Sequence, residues 1–289
     1  MSRVVELPAR GRLIVGTDLQ GHVEDFDRLE AVFRTAAASD PDGATLVLTG
    51  DLVHGPEIDR GDWPDYLGSF FEADSARILE RAHALAEAYP GRVHYLLGNH
   101  EHAHVGGPVV SKFFSDEAER LEVLMGPERT ARLRAWLNRW PPVAYAPSCG
   151  LLLLHGAPKA DIQSADDLER VPLCPGPGDD VIHDTIAGVL WARTTTSARA
   201  RAFMRAIDPS LTVAVYGHDV AREGFAIDRE PLLCLSTSFG CYDGDKLYLD
   251  WDLTTPVASA SELARRGLRP LCPEASPVYR SPAAAMSDA

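Results

Sequence analysis

Val93-His94-Tyr95-Leu96-Leu97 runs directly into Gly98-Asn99-His100-Glu101. An apolar run of strand length ends, with no intervening linker, in a glycine, an amide, an imidazole and a carboxylate. The arrangement recurs on both sides. Leu13-Ile14-Val15 precedes Gly16-Thr17-Asp18, and Thr45-Leu46-Val47-Leu48 precedes Thr49-Gly50-Asp51. Downstream, Leu151 to Leu154 precedes His155-Gly156, and Thr212 to Tyr216 precedes Gly217-His218-Asp219. Each run has the length of a buried strand, and each stops on the same small alphabet of Gly, Asp, Asn and His.

Helical spacing fills the gaps. Phe26, Leu29, Val32 and Phe33 form one apolar face, and Ile78, Leu79, Ala82 and Leu85 form another before Pro90-Gly91. A third helical stretch lies within Leu121 to Trp140, stopped by Pro141-Pro142. Strands alternating with helices predict a layered α/β fold with polar groups gathered at the strand C-terminal ends. After Gly217-His218 the pattern turns to strands, Pro231 to Leu235 and Lys246 to Leu253. With no internal repeat and no linker, residues 1–272 read as one domain. Residues 273–289, rich in Ala, Ser and Pro, read as a disordered tail.

Composition narrows the function. The 289 residues are 45% hydrophobic, enough for a sizeable core. The longest aliphatic run is four leucines, far below the ~20 residues of a membrane span. Met1 to Arg12 carries charges and a proline rather than the apolar stretch of a signal peptide, so a cytoplasmic location is expected. Lys+Arg 28 against Asp+Glu 42 gives a net charge of −14. That balance argues against nucleic acid and against an acidic membrane surface as partners. Five cysteines without a CxxC pair read as reduced thiols.

Taken together, the tips carry Asp18, Gln20, Asp51, Asn99, His100, His155 and His218. A mixed oxygen and nitrogen set without thiolates suits divalent Mn, Fe or Zn. An aspartate flanked by ligands on both sides can bridge two ions ~3.5–4 Å apart, as phosphoryl displacement uses them. A single Gly-Asp or His-Gly is an ordinary turn; five such fragments, in order and each after a strand, are a pattern.

The chain resembles the calcineurin-like metallophosphoesterases, and more closely their phosphoprotein phosphatase (PPP) branch. That family reads Gly-Asp-x-His-Gly, Gly-Asp-x-Val-Asp-Arg-Gly, Gly-Asn-His-Glu, His-Gly-Gly and a late Ala/Gly-His. Here the counterparts are Thr17-Asp18-Leu19-Gln20-Gly21, Gly50-Asp51-Leu52-Val53-His54-Gly55, Gly98-Asn99-His100-Glu101, His155-Gly156-Ala157 and Gly217-His218. Asp161-Ile162-Gln163-Ser164, Leu190-Trp191 and Gly217 to Phe225 also look like PPP stretches, so the likeness runs from about Leu13 to Leu253. It implies a four-layer α/β/β/α sandwich with the site on the strand-tip rim. It also implies two divalent ions, Mn favoured: Asp18 and Gln20 at the first, Asp51 bridging, Asn99, His155 and His218 at the second. His100 is then the proton donor to the leaving oxygen. The implied activity is phosphomonoester hydrolysis, with phosphoserine and phosphothreonine in proteins as the expected substrates. A dinucleoside polyphosphate or another small phosphoester is the alternative, and a metal-binding scaffold with little activity a third.

Three departures bear on that expectation. Gln20 stands where the family has a histidine, a weaker donor at the first ion, with His22 two residues on as a substitute. His54-Gly55 stands where the family has Asp-Arg, which orients the acid histidine and grips phosphate. The family's later phosphate-binding arginine has no clear counterpart; Arg193, Arg199 and Arg201 fall in the interval. His54 and Arg193 are the candidate substrate contacts. The acidic, aromatic stretch from Pro56 to Phe71 reads as a loop that selects substrate or lids the site, or as an exposed turn and the start of the next helix, and His102 and His104 read as loop residues outside the site.

Overall fold

The computed structural model describes residues 2–40, 42–174, 183–238 and 243–275. Its strands are β1 (Val4–Glu6), β2 (Arg12–Gly16), β3 (Ala44–Leu48), β4 (Val93–Tyr95), β5 (Val143–Ala146) and β6 (Leu151–Leu154), followed by β7 (Val213–Tyr216), β8 (Phe225–Ala226), β9 (Leu232–Leu235), β10 (Leu247–Asp252) and β11 (Leu268–Pro270). The α-helices are α1 (Val23–Ser39), α2 (Ser75–Ala88), α3 (Asn99–Ala103), α4 (Glu117–Met125) and α5 (Pro127–Leu137), then α6 (Ala165–Arg170), α7 (Asp184–Leu190), α8 (Ser197–Ile207) and α9 (Ala260–Gly267).

Side-chain alternation explains the layers. Successive residues of a strand face opposite ways, so a strand buried on both faces must be apolar throughout. In β6, Leu151 and Leu153 join one core, while Leu152 and Leu154 join another. The first core lies between the sheets, where Leu13, Val15, Val47, Val213, Val215, Leu233 and Leu249 meet. The second holds the outer faces: Ile14, Leu46 and Leu48 with Phe26, Leu29 and Phe33 of α1, and Leu152 and Ala214 with Ile186 of α7 and Phe203 of α8. The two sheets run β1-β5-β6-β7-β9-β8 and β11-β10-β2-β3-β4. This is the four-layer sandwich that the motifs imply.

Parallel pairing aligns the tips. β2, β3 and β4 are mutually parallel neighbours, as are β6, β7 and β9. Beyond the strands the loops stay stitched: Asp18 N donates to Gly50 O at 3.2 Å, and Gly217 N to His155 O at 2.9 Å.

Several expectations change. The strand starting at Val93 ends at Tyr95, because Gly98 already caps a short helix, α3. His102 therefore lies in a helix and His104 caps it, both buried, rather than in a loop. The third helical stretch is two helices, α4 and α5, broken at Gly126 (φ +79°) with Pro127 opening the second. Cys149, Cys174, Cys234 and Cys272 are free thiols; Cys241 lies outside the described residues, as does 276–289 of the expected tail. Among the described residues no helix is long and apolar enough to cross a membrane.

Candidate active site

The tip residues share an unusual backbone. Asp18 (φ +51°), Gln20 (+43°), Asp51 (+54°), His54 (+66°) and His218 (+66°) all take the left-handed conformation. Short polar side chains tolerate it best among non-glycine residues, and such strain gathers at functional sites. Two glycines let the tips touch. A Cβ on Gly50 (φ +103°) falls against the backbone of Gly98, and one on Gly98 falls against Asp51.

One group of ligand atoms converges from both sheets. His155 Nε2 lies 2.9 Å from Asn99 Oδ1, 3.1 Å from His218 Nδ1 and 3.3 Å from Asp51 Oδ1. Asp51, His155 and His218 form a set with ligand atoms all within 4.8 Å of one another. The opposite ring nitrogen fixes the His155 tautomer. His155 Nδ1–H donates to Thr49 O at 3.0 Å, and the His218 side chain hydrogen-bonds the Trp191 backbone. His155 Nε2 is therefore a bare lone pair, turned toward His218 Nδ1, an amide oxygen and a carboxylate. Once Asp51 is ionised, its carboxylate, the Asn99 amide oxygen and the His155 lone pair face one another as acceptors, an arrangement that a divalent cation satisfies. Asp51, Asn99, His155 and His218 fit one ion.

The other half differs from expectation. Asp18 is buried and receives the His218 backbone N–H on both oxygens at 3.1 Å. Gln20 Oε1 accepts from Lys112 Nζ at 2.6 Å, and the Gln20 side chain also hydrogen-bonds Asp51. An ammonium thus stands on the amide oxygen that the first ion needs. His22 offers no replacement. Its Nδ1 caps α1 by accepting from Asp25 N at 3.2 Å, and its ring stacks on Phe71 at 4.3 Å.

His100 sits beside the cluster, with Nε2 3.7 Å from Asp51 Oδ2 and its backbone N–H donating to Asp51 Oδ1 at 3.1 Å. His54 is buried, and both its ring nitrogens are engaged by imidazoles: Nδ1 to His100 Nδ1 at 3.0 Å and Nε2 to His104 Nε2 at 2.9 Å. It has no nitrogen left for a substrate, contrary to expectation. Glu101, the last residue of the Gly98-Asn99-His100-Glu101 motif, is the clamp. Its carboxylate accepts from Asp51 N and Leu52 N at 2.8 Å, Gly98 N at 3.1 Å and Val53 N at 3.3 Å.

Of the three arginines considered, Arg193 stands at the rim. It donates to His218 O and Asp219 Oδ1, both at 2.9 Å, with its side chain 60% exposed. Arg199 and Arg201 lie on the exposed side of α8. In the stretch from Pro56 to Phe71, Leu67 and Phe71 pack with Trp63 and with Phe113, next to Lys112.

Electrostatics match a cation site. Burial raises Asp18 well above the carboxylate range, with the Asp51 charge adding to it, and burial raises Asp51 to about 7. Burial also holds His155 and His218 down to about 3, so both stay neutral and able to ligate. Two crowded, desolvated carboxylates beside neutral imidazoles gain most from positive charge.

A family model for calcineurin-like phosphoesterases matches residues 11–232. The chain belongs to that family of metal-dependent phosphoester hydrolases. Its fold is similar to a protein serine/threonine phosphatase from Saccharomyces cerevisiae with similarity to human phosphatase PP5, at 16% identity and TM-score 0.56, covering 86% of this chain and 76% of that one. It is also similar to a cold-active protein-tyrosine phosphatase of a psychrophilic Shewanella, at 16% identity and TM-score 0.57, covering 88% and 81%. At such identities the likeness is one of fold. No curated protein matches the chain.

The sequence had pointed to every tip residue that meets here. It had not pointed to Lys112, which no motif marks. His104 carried a usable signal, since it lies four residues after His100, the spacing of one helix face.

Proposed function

We propose that this protein is a phosphomonoesterase, acting first on phosphorylated serine and threonine side chains. The observation that carries the hydrolase reading is the convergence of Asp51, Asn99, His155 and His218, with the bare His155 nitrogen turned inward, beside a further imidazole. A divalent ion held there supplies Lewis acidity toward phosphoryl oxygens and acidifies water.

The chain's own groups do the rest. Asp51 holds the His100 backbone and so sets its side chain at the edge of the cluster. His100, once protonated at both ring nitrogens, donates the Nε2 proton to the departing oxygen, leaving an alcohol and an imidazole that keeps its Nδ1 proton, the role that general acids fill. Arg193, held by Asp219 but exposed, can turn its guanidinium to a phosphate at the rim. The protein-phosphatase preference is supported by the PPP-like stretches between the motifs. His54-Gly55 in place of Asp-Arg favours the second reading, a small phosphoester such as a dinucleoside polyphosphate.

The test is phosphate release from p-nitrophenyl phosphate with Mn²⁺, followed by a phosphoserine peptide against a dinucleoside tetraphosphate. Metal-dependent turnover with the peptide ahead supports the proposal. Preference for the dinucleotide moves the substrate class, and metal-independent or absent turnover overturns the reading.

A further inference from the structure

Behind His100 lies a chain of buried side chains that leads away from the metal cluster. His100 Nδ1 meets His54 Nδ1 at 3.0 Å, His54 Nε2 meets His104 Nε2 at 2.9 Å, and His104 Nδ1 meets Glu122 Oε1 at 2.9 Å. The imidazoles tilt to one another with centroids 5.1 and 5.0 Å apart. His54 and His104 are almost wholly buried, and Glu122, on α4, is held from outside by Arg134 Nε at 2.8 Å.

With all three imidazoles neutral, the direction of every bond follows from its carboxylate end. An ionised carboxylate only accepts, and a neutral imidazole has one donor and one acceptor. Glu122 is ionised: burial works against its charge, but the hydrogen bonds from His104 and Arg134 outweigh it and hold the carboxyl down to about 2. His104 therefore donates from Nδ1, leaving Nε2 bare. His54 must donate from Nε2 into it, leaving its own Nδ1 bare. His100 must then donate from Nδ1, and Nε2, 3.7 Å from Asp51 Oδ2, becomes the one nitrogen that can take up a second proton on the cluster side and pass it to the leaving oxygen.

We propose that Glu122, acting through His104 and His54, is the carboxylate that orients His100 and keeps Nε2 as its working nitrogen. Glu122, His104 and His54 are positioning residues, since none touches the reacting atoms. The inference rests on the phosphomonoesterase reading with His100 as proton donor. It accounts for His54 directly: an imidazole there extends the hydrogen-bond path to a carboxylate on another helix. An aspartate at 54 needs no such path, because its Oδ stands the same number of bonds from Cα as the histidine Nδ1.

The experiment uses the metal-loaded full chain and two substrates, p-nitrophenyl phosphate with a good leaving group and an alkyl phosphate with a poor one. His100→Ala sets the baseline; no loss on the alkyl phosphate would show that the proton-donor reading itself is wrong. Given that loss, Glu122→Gln is expected to lower turnover of the alkyl phosphate roughly 10–100-fold, as loss of an orienting partner does. Turnover of p-nitrophenyl phosphate, metal content and melting temperature stay near wild type. In a His54→Asp background the same Glu122→Gln change is expected to cost less than about twofold, because the carboxylate then touches His100 directly. An equal loss on both substrates, no loss on the alkyl phosphate, or an undiminished loss in the His54→Asp background overturns the proposal.

Discussion

Gln20 and Lys112 decide how the site handles a second ion. The amide oxygen that would face the first metal position accepts from Lys112 Nζ at 2.6 Å, and the buried Asp18 and Asp51 carboxylates feel the charge of that ammonium. An ion entering on that side has to displace it, whereas Asp51, Asn99, His155 and His218 stand ready for the other ion. Equilibrium dialysis against Mn²⁺ is therefore expected to find one tight and one weaker ion. Gln20→His adds a stronger donor and Lys112→Met removes the competing charge, so each is expected to tighten the weaker ion by about tenfold or more. Identical binding curves for wild type and both variants would contradict this account. The Gln20 departure was legible because it falls inside a motif. Lys112 was not, because it sits 92 residues away on a stretch without motif, where only the fold brings it near.

At the scale of elements, α3 acts as a bracket between strand tips. Glu101 sits one turn into it and gathers four backbone N–H groups from the loops after β3 and β4. Glu101→Ala leaves these buried donors unpaired and is expected to cost roughly 3–5 kcal/mol by urea unfolding, given about 1–3 kcal/mol for each unsatisfied group and partial relaxation. A loss below about 1 kcal/mol would remove Glu101 from this role. Sequence alone located the buried strands because an apolar run ending in Gly and a polar residue is a strong local signal. It missed α3, only five residues long, and the edge strands β1, β8 and β11, whose two or three residues are too short for periodicity. Gly126-Pro127 was readable as punctuation, yet the apolar spacing continues across it and fused α4 with α5.

Across the whole molecule, two sheets are joined at one rim by groups that want a cation. Asp51, raised to about 7 by burial, holds its proton more tightly when folded than unfolded. The metal-free protein therefore loses stability as pH rises from the ordinary carboxylate range through about 7, and below that point an ion must displace the proton. His155 and His218, lowered to about 3, stay neutral there and do not compete. The rise in melting temperature on adding Mn²⁺ is expected to be larger at about pH 8 than at about pH 6; an equal rise at both would contradict a site built on Asp51. The most direct measurement of the central claim joins activity to metal. Phosphate release from p-nitrophenyl phosphate and bound Mn²⁺ are determined on the same samples of wild type and Asp51→Asn. The account predicts release that a chelator stops, and loss of both metal and turnover, by at least about 10³-fold in rate, in the variant. Undiminished release with chelator present, or an Asp51→Asn protein that keeps its metal and its rate, would contradict it.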